Sequence, residues 1–410
     1  MTRTRKKRWR ILKNTSALRM LKNIRALKPV FLPVCMVFIL FYHIDKNYFP
    51  QRDHFSCKKS PNQTDRWLIV FWSTIFGKQP GIELKWNKSD CPVACQVTSD
   101  HSRACDADGF VVHARDSHMI PPTESVPWIL YTQENPIYTS VMNDAKFMSR
   151  FKLLVSYRLD YDFPWPSFHM PNATPPLRFK EKTKLIMAAF SNCEPVRTEY
   201  MRQLMKFVQV DSYGDCLRNK HGLVERYGSR NGSNFLELKT ELAKQYKFTL
   251  VFFNQDCDYF VDAQLNHALN AGSIPVVMST DKLDEFLPGN LRHSVIKVRD
   301  FRTPKDLSDY LKYLSRNETE YNKYLSWKLE GIENITGTAI ENVWKPKYPL
   351  YCQICVALSQ GRIHEKGLEP IPCKARAYED WGITPSSRTT LVMKNVILLY
   401  LLSLLTPILI

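Results

Sequence analysis

The sequence predicts an α/β protein with two doubly wound parallel-sheet halves behind an N-terminal transmembrane anchor. Three features point there. Short β-rich apolar runs recur along the chain and alternate with helical stretches in its second half. A Pro-rich stretch, Pro164–Pro176, breaks that series in two. A basic leader and an uncharged apolar run come before all of it.

The leader explains most of the charge. Residues 1–28 hold 11 Lys/Arg and no acid, so only +6 of the net +17 is left for the other 382 residues. A polyanion-binding fold spreads positive charge over its structured part, so nucleic acid is not the expected partner. Hydrophobic residues at 44% and charged residues at 24% also exclude wholesale disorder. Residues 29–45, beginning PVFLPVCMVFILFYHI, form the expected signal-anchor in membrane lipid, with residues 1–28 in the cytosol by the positive-inside rule. The run is shorter than the ~20 residues usual for a span. A cleaved signal peptide is the competing reading, but the leader is long for one and no small-x-small cleavage site stands out near residues 45–55. Residues 46–65 are polar and read as a stem.

This orientation places the rest of the chain in a lumen. Six Asn-x-Ser/Thr sequons fit that compartment: Asn62, Asn87, Asn172, Asn231, Asn317 and Asn334. The close pairs Cys91/Cys95 and Cys352/Cys355 satisfy zinc spacing, but an oxidising lumen favours disulfides.

Residues 66–176 form the expected first domain, with strands at Trp67–Phe76, Gly109–His113, Trp128–Thr132 and Leu153–Tyr157. Residues 177–356 form the second, with strands at Lys184–Phe190, Phe248–Phe253 and Ile274–Met278 and helices at Pro195–Val208 and Asp262–Ala271. Residues 357–410 are an extension ending in an apolar tail, Val396–Ile410, expected to contact membrane. A lipid-anchor signal and a core helix are the other readings of that tail.

No Gly-rich phosphate loop, HExxH or GxSxG motif is present. Asp106-Ala107-Asp108 and Asp160-Tyr161-Asp162 share the Asp-x-Asp spacing of metal-dependent sugar transferases, a spacing common by chance, and no metal site is expected. Glu134, His113 and the acids near Asp258 are ordinary acid–base candidates.

Six strings together resemble the α-1,3-fucosyltransferases, glycosyltransferase family ten, over about Trp67–Cys355. CPVACQVTSDHSRACDADGFVVHARD resembles the family's Cys-rich entry and A-D-x-V-x-F-H strand, and WILYTQENP resembles W-x5-E-S-P, with Asn135 in place of the serine. SYRLDYDFPWP, SNCEPVR, VDSYGDC and the closing YCQIC resemble further blocks in the family's order. The resemblance implies a type II Golgi membrane enzyme with two Rossmann-like domains and a cleft between them (GT-B). It implies transfer of fucose from GDP-β-L-fucose, with inversion, to the 3-OH of GlcNAc in a glycoprotein glycan. No metal or other cofactor is implied. Glu134 matches the family's base and Arg197 a phosphate-binding arginine. Cys91 and Cys95 are implied to pair with Cys352 and Cys355, in either combination, while Cys193, Cys216 and Cys257 include a further pair left unassigned.

The donor block departs from the family. Where the family reads F-E-N-S…D-Y-x-T-E-K, this chain reads FFNQDCDYFVDAQL: Asn254 is kept, but Phe253 replaces the glutamate. Without gaps, Ala263 and Gln264 stand at Glu-Lys; slid by one, Tyr259 and Asp262 fill the Tyr and Glu positions. Either way the phosphate-facing lysine is gone, and Lys247 is the nearby cation to replace it. An active fucosyltransferase is therefore the first reading, and a catalytically impaired, fucosyltransferase-like luminal binding or scaffold protein the second.

Overall fold

The computed structural model describes residues 66–221 and 235–385. The expected cytosolic tail, anchor, stem and apolar C-terminal tail, with the sequons at Asn62 and Asn231, lie outside the described residues. Among the described residues no helix is long and apolar enough to cross a membrane.

Two sheets organise this part. The first contains β1 (Trp67–Phe71), β2 (Glu83–Trp86), β3 (Cys95–Thr98), β4 (Gly109–His113), β5 (Trp128–Thr132), β6 (Phe151–Ser156) and β7 (Phe163–Pro164), in the order β2-β3-β1-β4-β5-β6-β7. All pairs are parallel except β2–β3. β2 closes one edge with exposed Glu83 and Lys85, which discourages further strand addition there. The second contains β8 (Lys184–Ala188), β9 (Asp211–Ser212), β10 (Tyr246–Phe252), β11 (Ile274–Met278) and β12 (Ile296–Lys297), in the order β12-β11-β10-β8-β9, all parallel.

Both sheets reverse their strand order beside their first strand, between β1 and β4 and between β8 and β10. In such open parallel sheets the crevice at the carboxyl ends of those strands is where ligands bind. The strands are nearly continuous apolar runs because both faces are covered, as IPVVM in β11 illustrates.

The second sheet is covered by α1 (Pro195–Leu204), α2 (Phe235–Ala243), α3 (Gln264–Ala271) and α4 (Pro304–Leu314). Val196, Tyr200 and Leu204 of α1 join Leu307 and Leu311 of α4 over Phe248, Leu250 and Phe252. α3 stops at Gly272, whose φ of +62° suits glycine, and a Cβ there would meet Pro176.

In the first sheet the crossovers are 3₁₀ turns and one four-residue helix, Ala145–Met148, so they supply little cover. Cover comes instead from the far end of the chain. α5 (Leu350–Ser359) packs Leu350, Ile354 and Leu358 on Ile69, Val97 and Val155. Leu368 and Ile371 join the opposite face beside Phe110 and Leu154. Residues 350–356, expected in the second domain, therefore complete the first sheet. Disulfides Cys91–Cys352 and Cys95–Cys355 pin α5 there. Cys193–Cys216 and Cys257–Cys373 stitch the second half; the latter enlists a cysteine that the sequence reading had not paired. Asn87, Asn172 and Asn334 are exposed, while half-buried Asn317 caps the helix Glu318–Lys323.

Candidate active site

The loops leaving the carboxyl ends of the two sheets meet. Asn135, fully buried in the loop after β5, donates its side-chain N–H to Asn254 Oδ1 after β10, at 2.8 Å. Its own Oδ1 accepts the backbone N–H groups of Ile137 and Tyr138 at 3.2 and 3.3 Å. The Tyr138 hydroxyl reaches Asn192, in the loop after β8, at 3.3 Å. The asparagine that replaces the family's serine thus ties one half to the other.

Glu134 sits at that junction, half-buried, with its loop held by Thr132: the Thr132 hydroxyl contacts both the N–H and the carbonyl of Glu134 at 3.1 Å. Burial raises the pKa of its carboxyl; Arg115 opposes that shift and the like charge of Asp262 adds to it. Such a poised carboxyl suits proton abstraction.

Arg197 lies on the first turn of α1. Pro195 begins that helix, and Glu194 caps it by accepting from the N–H groups of Val196 and Arg197 at 3.0 and 2.9 Å. The Arg197 side chain is buried, donates to the carbonyls of Asn192 and Phe252, and stacks on Phe190 at 4.7 Å. Burial lowers its pKa to about 10, against the pull of Asp262. Asp262 holds the start of α3 by accepting from Gln264 N and Nε2, each at 2.8 Å, so that helix begins two residues later than the sequence pattern predicts. Its carboxyl pKa is raised by burial and drawn back down by these bonds, Arg197 and Lys239.

Glu134, Arg197 and Asp262 are thus brought into one electrostatic cluster, with Asn254 at its edge. Tyr259 stands apart, with φ +64°, its hydroxyl bonded to Glu285 at 3.3 Å and its ring under Arg158 at 5.0 Å. Lys247 is a correction. It lies at the amino end of β10, opposite the crevice, and its ammonium donates to the Phe179 carbonyl at 2.8 Å, over the Phe179 ring. The strand's polarity, which the residue's place in YKFTLVFFN already encodes, rules it out as a phosphate ligand.

Two cations escaped the sequence reading. Lys239 on α2 lies within electrostatic reach of Asp262 and Arg197, and burial lowers its pKa. It lines a small cavity with Gln264 and His267, so a lysine side chain from another helix neighbours the position where the family's lysine is missing. Arg376, in the extension, is the second. Nothing in the motif pattern signalled either. Among the described residues there is no group of three or more His, Cys, Asp or Glu arranged to hold a metal. Asp108 instead accepts from Leu68 N, and Asp160 from Arg158.

Switch-point crevices at the carboxyl ends of two sheets, joined by loop-to-loop hydrogen bonds and lined by buried charged groups, define a ligand-binding site of a two-sheet α/β protein. Residues 64–167 match the family described as Fucosyltransferase, N-terminal, and residues 179–371 match Glycosyltransferase family 10 (fucosyltransferase) C-term. The chain belongs to glycosyltransferase family 10, the fucosyltransferases. Similar curated proteins are named GDP-fucose protein O-fucosyltransferase 3. The one from Canis lupus familiaris is 25% identical over 350 residues, 78% of this chain and 72% of that protein. The one from Bos taurus is 28% identical over 283 residues, covering 62% and 58%, and the one from Danio rerio is 30% identical over 282, covering 64% and 59%. A solved structure titled alpha1,3-Fucosyltransferase with GDP-fucose aligns at TM-score 0.43 and 15% identity, covering 76% of this chain and 94% of its own.

Proposed function

We propose that the protein transfers fucose from GDP-β-L-fucose to a protein hydroxyl, with Glu134 as the base. The observation carrying this reading is the 2.8 Å hydrogen bond from Asn135, the residue after Glu134, to Asn254, which joins the loop of the acid to the crevice of the second sheet. An acceptor hydroxyl becomes a competent nucleophile as Glu134 takes its proton. Arg197 and Lys239 supply positive field for the departing diphosphate, which makes up for the lysine absent at Gln264. Arg197 acts through its field and through the Asn192 and Phe252 carbonyls it holds. No metal is required in this scheme. The names of the similar proteins favour a protein hydroxyl as acceptor. The second reading is an α-1,3 link to GlcNAc in a glycoprotein glycan, favoured by the motif strings around Glu134 and Arg197. The uncharged apolar run 29–44 and the sequons that follow it support a single-pass Golgi membrane protein with this site in the lumen.

The test supplies radiolabelled GDP-fucose with secreted-protein acceptors and, separately, GlcNAc-terminated glycopeptides. Label released by alkaline β-elimination supports the protein hydroxyl; label released by a peptide N-glycanase supports the glycan. Glu134→Gln is expected to reduce transfer by at least a hundredfold with GDP binding retained. GDP binding by the native chain with transfer to neither acceptor establishes the impaired, binding-only relative instead.

A further inference from the structure

We propose that the segment Cys373–Trp381 is a donor-site clamp and that Arg376 is its positioning residue, an inference that rests on the GDP-fucose reading above. The segment lies beyond the residues matched to the family, which end at 371. It returns to the crevice of the second sheet and is bonded there through Cys257–Cys373.

The Arg376 side chain is fully buried. Its Nη1 donates to Glu194 Oε2 and to the Phe253 carbonyl, both at 3.1 Å. Its Nε donates to Asp256 Oδ2 at 2.6 Å and its Nη2 to Asp256 Oδ1. The backbone N–H of Arg376 donates to Gln255 Oε1 at 3.1 Å, and Trp381 Nε1 adds a bond to Asp256 Oδ2, also at 3.1 Å.

These acceptors belong to the two loops that build the crevice. Glu194 caps α1 and sets the position of Arg197, while Phe253, Gln255 and Asp256 surround Asn254, the residue that reaches across to Asn135. One planar guanidinium therefore locks both rims of the switch point together. A lysine offers no equivalent fork, because an ammonium is a point donor without the spread of five fixed N–H groups. The clamp is also electrostatic. Glu194 and Asp256 place two carboxylates beside the crevice, and without Arg376 they would repel a diphosphate.

The experiment measures GDP and GDP-fucose binding by calorimetry on the detergent-solubilised full chain, as wild type, Arg376→Lys and Trp381→Phe. Arg376→Lys keeps the charge and loses the fork, so GDP is expected to bind about tenfold more weakly, since small misplacements of a binding constellation carry effects of that order. The donor KM should rise in step, and kcat should fall as Arg197 loses its fixed place beside the departing diphosphate, with the acceptor KM unchanged. Trp381→Phe keeps the ring and loses one bond, giving a smaller shift in the same direction. A merely structural strap would lower the melting temperature and leave GDP affinity untouched in the folded protein; that result from both variants overturns the clamp. Wild type that binds neither GDP nor GDP-fucose overturns the donor reading, and the clamp with it.

Discussion

Asn135→Ala tests whether the junction between the halves holds the base in place. The substitution removes a 2.8 Å bond to Asn254 and two longer ones to Ile137 and Tyr138, all from a fully buried side chain. One amide–carbonyl bond is worth about 1 kcal/mol net, and a buried group left unpaired adds about 1–3 kcal/mol. The expected loss of stability is about 2–4 kcal/mol, a fall of roughly 3–6 °C in melting temperature for a cooperative unit of ~300 residues. A double-mutant cycle with Asn254→Ala isolates the bond between the two side chains, with an expected coupling of about 1 kcal/mol. Urea unfolding with the disulfides intact measures it. Because Glu134 is the preceding residue, kcat should fall about tenfold in the same variant. Additive single substitutions, with a coupling within about 0.3 kcal/mol of zero, would refute the idea that this bond joins the halves.

Two further outcomes follow from the site. Arg115 holds the Glu134 carboxyl pKa down, so Arg115→Gln should raise it; the base then protonates at higher pH, and the acidic limb of kcat/KM moves upward. A pH profile in which that limb stays put or moves down contradicts the assignment of Glu134. Lys247→Ala should leave transfer and donor KM unchanged while lowering stability by about 1–2 kcal/mol, through loss of its bond to Phe179 and its place over that ring; a large rise in donor KM would return Lys247 to the donor site.

Much of the fold was readable because parallel strands announce themselves. Runs such as IPVVM and FTLVFF are apolar throughout, and few local arrangements other than a doubly covered strand account for them. Glu134 and Arg197 stand out as candidates for a related reason, since each follows a strand in a short and distinctive string. What the sequence concealed is contact between distant segments. Lys239 has no motif, and only the packing of α2 beside α3 brings it near Asp262. Arg376 sits in a loop-rich extension whose composition suggests no role. Lys247 misled because proximity to the donor block along the chain says nothing about which end of a strand a side chain occupies. Local pattern does not reveal which sheet a helix covers, so the packing of α5 on the first sheet cannot be read from Leu350–Ser359 alone.

The return of α5 to the first sheet bears on how the protein is made. During synthesis Cys91 emerges long before Cys352, 261 residues downstream, whereas Cys193 meets Cys216 after only 23. At ~5–20 residues per second that wait is about 13–50 s. Throughout it, two thiols and one apolar sheet face stand uncovered while the cysteines of the second half appear beside them. The Cys193–Cys216 loop can therefore close early, whereas both halves wait for the far end of the chain, Cys91 and Cys95 for α5 and Cys257 for Cys373. Covalent closure of both halves is in this way deferred to the last part of the folded region to be made.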